Sequence, residues 1–104
     1  MITVEIHEQD DALIGYTVSG HADTAPAGED IVCAAVSSAA YMTANTITEI
    51  IHAPAEATAE DGYMHLTVCG DTDACQPILH GFLLHMRQMQ TQYPDAVHLT
   101  ITEV

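Results

Sequence analysis

Apolar and polar residues alternate at the N-terminus, where Ile2, Val4 and Ile6 interleave with Thr3, Glu5 and His7. That is the period of a strand with one buried face. Leu13 to Val18 predicts a second strand, and the polar Glu8-Gln9-Asp10-Asp11 between them a turn, so the two form a hairpin. Residues 20 to 29 collect Gly20, Pro26, Gly28 and small side chains without an apolar period, which predicts a loop. The period then changes. Val32, Val36, Ala39, Ala40, Thr43, Ile47 and the pair Ile50-Ile51 recur at spacings of three and four, predicting a helix from about Ile31 to Ile51 with one buried face, ended by the Pro54 region. Asp30 suits its N-cap, where a carboxylate accepts from the free N–H groups of the first turn. Ala34, Ala35, Ser37, Ser38, Ala39 and Ala40 keep the first half of this helix small, so other backbone can approach it closely.

Ala55 to Ala59 predicts a third strand, and Glu60-Asp61-Gly62 carries an Asp-Gly hairpin signal into a fourth, Tyr63 to Val68. Cys69 to Gln76 reads as a polar connection. Pro77 suits the first turn of a second helix, whose Ile78, Leu79, Phe82, Leu83, Met86, Met89 and Tyr93 share one face and which Pro94 stops. The Phe82, Met86, Met89 stripe at that spacing reads as core. Val97, Leu99 and Ile101 alternate as a last strand. The order ββαββαβ predicts an α+β fold of two layers, a mixed sheet with two helices on one face, in a single domain spanning residues 1–104. The other sheet face leaves room for a dimer interface.

Composition agrees with such a fold: 104 residues, 48% of them apolar and 15% charged, can fill a core without obligatory disulfides or metal. Charge changes the picture more. Arg87 is the one basic residue against fifteen acids, for a formal net charge of −14. Such a surface repels phosphate backbones and anionic lipid, which excludes nucleic acid and membrane as direct partners and favours a basic protein. Cys33, Cys69 and Cys75 make an odd set without a CxxC pair, which fits the reducing cytoplasm. The N-terminus lacks a basic start and an apolar h-region, and no run approaches the length of a membrane span, so neither a targeting nor a transmembrane segment is expected.

The candidate chemistry sits around the loop. His21 opens it and Cys33 closes it. With Asp30 as N-cap, Cys33 is the third helical residue, beside unpaired N–H groups and the positive end of the helix dipole, a setting that favours thiolate. A histidine brought near would complete a Cys–His nucleophile, and the helix-start N–H groups could hold an oxyanion. A cysteine in an Ala-rich helix is also what a buried structural thiol looks like. Asp30 likewise has two readings, as cap or as the group orienting His21. Ser37, one turn beyond Cys33, and Gly20 and Gly28, at the ends of the loop, are further candidates for a substrate pocket. His80 with His85, or Cys69 with Cys75, lie five and six apart and match no paired metal-ligand spacing, so no metal and no cofactor are expected.

The run Gly20-His21-Ala22, followed by Gly-Glu-Asp-Ile-Val-Cys-Ala-Ala-Val-Ser at 28 to 37, resembles the ribosomal-processing cysteine protease family, Prp. The resemblance extends through Asn45, the Glu60-Asp61-Gly62-Tyr63 hairpin and the closing Gln92-Tyr93-Pro94-Asp95-Ala96-Val97 stretch. The closing stretch of resemblance runs on through His98-Leu99-Thr100-Ile101-Thr102-Glu103-Val104. The resemblance implies a cysteine endopeptidase in which Cys33 is the nucleophile and His21 the general base. It further implies removal of a short N-terminal extension from a basic bacterial large-subunit ribosomal protein, after a hydrophobic, aromatic-rich stretch. A homodimer is implied too, as is a mobile loop between His21 and Cys33 that orders around the peptide. The basic substrate agrees with the acidic charge read independently. The competing reading is a non-catalytic, acidic, dimeric module that binds basic ribosomal proteins.

Overall fold

The structure, a computed structural model, describes residues 1–20 and 31–104 in full and 27–30 by their backbone. Strands β1 (Ile2–Gln9) and β2 (Ala12–Ser19) lead into helix α1 (Ala27–Asn45), which widens into a π turn over Thr46–Ile50. Strands β3 (Ala55–Glu60) and β4 (Tyr63–Val68) follow, then a 3₁₀ turn at Asp73–Cys75, helix α2 (Gln76–Gln92) and strand β5 (Val97–Glu103). The five strands form one mixed sheet in the order β3-β4-β2-β1-β5, in which β1 and β5 run parallel and the other pairs antiparallel. This is the two-layer α+β arrangement that the order of periodicities predicts.

Alternation decides which side of the sheet the helices cover. Ile2, Val4 and Ile6 of β1, Tyr16 and Val18 of β2, and Met64, Leu66 and Val68 of β4 are buried against Val32, Val36 and Ala40 of α1 and Leu79, Phe82 and Met86 of α2. Each Val, Leu, Ile, Phe or Met side chain among them, fully buried, is worth roughly 1.5–3 kcal/mol against exposure. Tyr16 ties the two helices to the sheet at one point. Its hydroxyl donates to the Ala40 carbonyl at 2.7 Å, and its ring lies 4.4 Å from that of Phe82. Burial pushes its phenol well above the ordinary range. At the other end of β2, the Gln76 amide brackets Leu13, accepting from its N–H at 3.0 Å and donating to its carbonyl at 2.8 Å. The start of α2 is thereby fastened to the start of β2.

Three local features differ from the sequence expectation, each for a physical reason. The first turn is tighter: β1 runs on to Gln9, a bulge at His7/Glu8 absorbs the register, and Asp10 and Asp11 alone turn the chain, both at positive φ. Asp tolerates that region because its short side chain bonds locally. The long helix starts at Ala27, four residues before the predicted start, and does not remain α to its end. Thr43, Thr46 and Thr48 each donate a hydroxyl to the carbonyl four residues back, at 2.8, 2.8 and 3.1 Å, competing with the helical ladder. The Ile51 N–H then reaches back five residues to the Thr46 carbonyl at 2.9 Å. The extra residue in that turn keeps Ile47 buried and turns Ile50 out to solvent. Tyr93, predicted on the inner face of α2, follows the helix as its C-cap and is exposed.

By length and composition the segment Ile31–Ile50 could cross a membrane. Here Val32, Val36, Ala40, Ala44 and Ile47 are buried in the core, and the segment is the main helix packed on the sheet.

Candidate functional site

Helix α1 carries Cys33, Ser37 and Tyr41 at successive steps of four, and all three line one side of a cavity of about 270 Å³. Residues four apart share a helical face, so this row is a direct product of the sequence period. Small neighbours leave the row uncluttered: Ala40 lines the same wall and is itself fully buried. The floor is Val18 of β2 and Met64 of β4, which are partners in the antiparallel register and both buried. The turn of the β3–β4 hairpin, Glu60 to Tyr63, closes the far side. Cys33 is half-buried and packs against the core cluster, with its thiol free.

Gly20 joins this site from below. Its N–H donates to the Gly62 carbonyl at 3.0 Å, so the end of β2 is held against the hairpin turn that edges the cavity. Gly20 has φ +90°, and a Cβ there would collide with the Met1 carbonyl oxygen. Only glycine fits both demands.

The helix start changes the reading of two residues. Because α1 begins at Ala27, Asp30 is the fourth helical residue rather than the N-cap, and Cys33 is the seventh rather than the third. The unpaired N–H groups of the first turn belong to residues 27–30, so neither the dipole argument nor an oxyanion hole at the helix start applies to Cys33. Gly28 is placed in that first turn by its backbone. His21 and the remainder of the loop at 22–26, together with the Asp30 side chain, lie outside the described residues. Ser37 lines the cavity beside Cys33.

The sequence reading did not single out Val18, Tyr41 or Met64. Tyr41 was recoverable from helical spacing, being eight residues from Cys33. Val18 and Met64 meet the cavity only through the β2–β4 register, which no local signal encodes.

Among the described residues, no three of His, Cys, Asp and Glu are grouped to hold a metal ion. His80 and His85 are exposed on α2, and Cys69 is exposed. Cys75 is buried, and burial followed by the nearby Asp71 carboxylate raises its thiol above the ordinary value. The one basic side chain, Arg87, is exposed on α2 and does not line the cavity. The cavity therefore offers a thiol and two hydroxyl-bearing side chains, Ser37 and Tyr41, on a helical wall, an apolar floor and an acidic hairpin turn at its edge. That arrangement suits attack by sulfur on a carbonyl whose neighbouring side chain enters the cavity.

The model of the family described as Cysteine protease Prp matches residues 1–98. Ribosomal processing cysteine protease Prp of Staphylococcus aureus is 29% identical over 103 residues, covering 95% of this chain and 97% of that protein. The chain is also similar to the crystal structure of the S. aureus protease Prp in complex with a substrate peptide, with a TM-score of 0.88 and 28% identity over 98% of this chain and 100% of that one. A second S. aureus structure, with a covalently linked product peptide, has a TM-score of 0.86 and 27% identity over the same shares of both chains.

Proposed function

The chain belongs to the cysteine protease Prp family and is a cysteine protease, and from that premise we propose that it removes a short N-terminal extension from a basic large-subunit ribosomal protein, with Cys33 as nucleophile and His21 as general base. The observation that carries this reading is the position of Cys33: the only cysteine lining the cavity, half-buried, on a wall of small residues. The name of the S. aureus relative supports ribosomal processing as the task. The net charge of −14 supports a basic substrate, which it would draw in by long-range attraction.

In the proposed mechanism, His21 takes the Cys33 thiol proton as sulfur attacks the scissile carbonyl, and returns that proton to the departing amine. The C–N bond breaks and a thioester to Cys33 remains. Water, giving a proton to His21, then attacks the thioester and releases the carboxylate while the thiol is restored. Ser37 lines the space beside the reacting sulfur, and Gly20 fixes where the chain leaves β2 toward His21. Peptide side chains from a hydrophobic, aromatic-rich stretch would seat on Val18 and Met64. We assign the working unit as a homodimer in the cytoplasm.

The strong acidity also favours a second reading, an acidic dimeric module that binds basic ribosomal proteins without cutting them. One experiment separates the two: the intact mass of the extended ribosomal protein after incubation with this chain or with its Cys33→Ala variant. A single mass loss equal to the extension, absent with the variant, supports the protease assignment. No mass loss with folded wild-type chain under reducing conditions and low salt supports the binding module.

A further inference from the structure

On the sheet face turned away from the helices, one hydrogen-bonded chain crosses three strands. The Thr17 hydroxyl lies 2.9 Å from His7 Nε2 and 2.8 Å from His65 Nδ1, and His65 Nε2 lies 2.8 Å from the Thr67 hydroxyl. At one end the Glu5 carboxylate stands 3.5 Å from His7 Nδ1. The two imidazoles meet edge to face with centroids 5.8 Å apart.

A threonine hydroxyl has a single proton to give, and this forces a direction on the chain. With the His7 proton on Nδ1, the nitrogen that faces the Glu5 carboxylate, His7 Nε2 accepts from the Thr17 hydroxyl. The Thr17 oxygen then accepts from the His65 Nδ1–H, and His65 Nε2 accepts from the Thr67 hydroxyl. All four residues are satisfied when both rings are neutral. A first added proton is carried on His65 once the Thr67 hydroxyl turns from donor to acceptor; on His7 it makes Nε2 a second donor toward a Thr17 oxygen that already accepts from His65, and the Thr17 hydroxyl loses its acceptor. A second makes both rings donors only and sets two positive charges against one another. Burial already favours neutral His7, with Glu5 opposing and His65 assisting. Strand alternation places the other titratable groups of this face at Tyr63 on β4, Glu56 and Glu60 on β3 and His98 on β5, while β2 contributes none.

Thr17 and His65 are register partners, and the next pair along the same two strands, Val18 and Met64, floors the Cys33 cavity from the opposite face. We propose that Thr17 and His65, with His7, are positioning residues: an acid-sensitive clamp that holds β2 and β4 in the register flooring the Cys33 cavity. Acidification loosens the clamp on one face and displaces the floor on the other. The catalytic meaning of the clamp rests on the peptidase reading above, whereas its existence does not.

The test is methyl NMR of the chain labelled at methionine, followed from about pH 7.5 to about pH 5.5, an interval that brackets the ordinary histidine value of about 6.5. The Met64 methyl should move together with the His7 ring signals, while Met86 and Met89, buried on the inner face of α2, stay still. In the His7→Gln/His65→Gln variant, whose amides keep a donor and an acceptor without titrating, the Met64 shift should shrink several-fold. Should that variant fail to fold, Thr17→Ser, which keeps the hydroxyl, should retain the Met64 titration and Thr17→Val should lose it. A Met64 signal that is flat while the His7 ring titrates, moves equally in the glutamine variant, or moves no more than Met86 and Met89 overturns the clamp. With the inert Cys33→Ala chain, affinity for a peptide copying the extension junction should fall several-fold over the same interval, and less with both glutamines present. Failure to cleave, with the Met64 titration intact, overturns the peptidase reading and leaves the clamp standing.

Discussion

Gly20 and Gly62 are joined backbone to backbone, N–H to carbonyl at 3.0 Å, so the residue that precedes His21 is tied to the turn that edges the Cys33 cavity. His21 and Cys33, proposed as partners, stand twelve residues apart in sequence, and this bond fixes where the chain leaves β2 ahead of His21. A side chain at position 20 would need φ near +90° and would meet the Met1 carbonyl. Gly20→Ala is therefore expected to destabilise the fold by at least about 1 kcal/mol, read as a lowered denaturant midpoint at unchanged slope. Its cleavage rate should fall further than the stability loss explains.

The three thiols are ranked by their surroundings. Cys75 is buried and its thiol raised, Cys69 is exposed, and Cys33 is half-buried at the cavity. If exposure alone governed reactivity, Cys69 would react first. With His21 as its base, Cys33 should alkylate fastest near neutral pH, then Cys69, then Cys75. Timed alkylation with peptide mapping checks the order, and Cys69 leading would count against an activated Cys33.

Acid should weaken the fold through His7. Its folded value lies below the ordinary histidine value of about 6.5 because burial penalises its charged form. The contribution is present above that ordinary value and is lost as pH falls through it toward the lower folded value. Urea midpoints measured on either side of that window should fall on acidification, and the fall should be smaller for His7→Gln. An equal fall in both proteins would assign the loss to other groups.

Tyr16 concentrates the link between sheet and helices. Tyr16→Phe keeps the ring contact with Phe82 and removes the 2.7 Å bond to the Ala40 carbonyl, for a loss of about 1 kcal/mol. Leu66→Ala, at a fully buried site, should cost about 2–5 kcal/mol. Chemical denaturation of both variants tests whether packing outweighs that single hydrogen bond.

Most of the fold is legible in the sequence because its elements are strongly periodic. Ile2, Val4 and Ile6 alternate, and the face of α2 through Leu79, Phe82, Met86 and Met89 repeats at helical spacing. Both departures within the long helix fall where period carries no information. Around Ala27 and Gly28 the residues are too small to show a buried face, so the helix start is silent and Asp30 stands out as a cap it does not form. At Thr46–Ile50 the apolar spacing continues while threonine hydroxyls divert the backbone into a wider turn. The site is legible in part for the same reason. Cys33 and Ser37 follow from one helix, whereas Val18 and Met64 depend on a pairing between strands separated by the whole of α1.

The parallel pairing of β1 with β5 runs from Ile2 opposite Val97 to Glu8 opposite Glu103, and the Val104 N–H closes it on the Glu8 carbonyl at 2.8 Å. Within this sheet, the strand that comes first in the chain thus waits for the one that comes fifth. Until residues 97–103 have been added, one edge of β1 carries unpaired backbone groups, open to any other extended chain nearby. Completion of the sheet is accordingly a late, long-range event in the life of each molecule, and loss of the final strand would expose a central strand rather than trim an end.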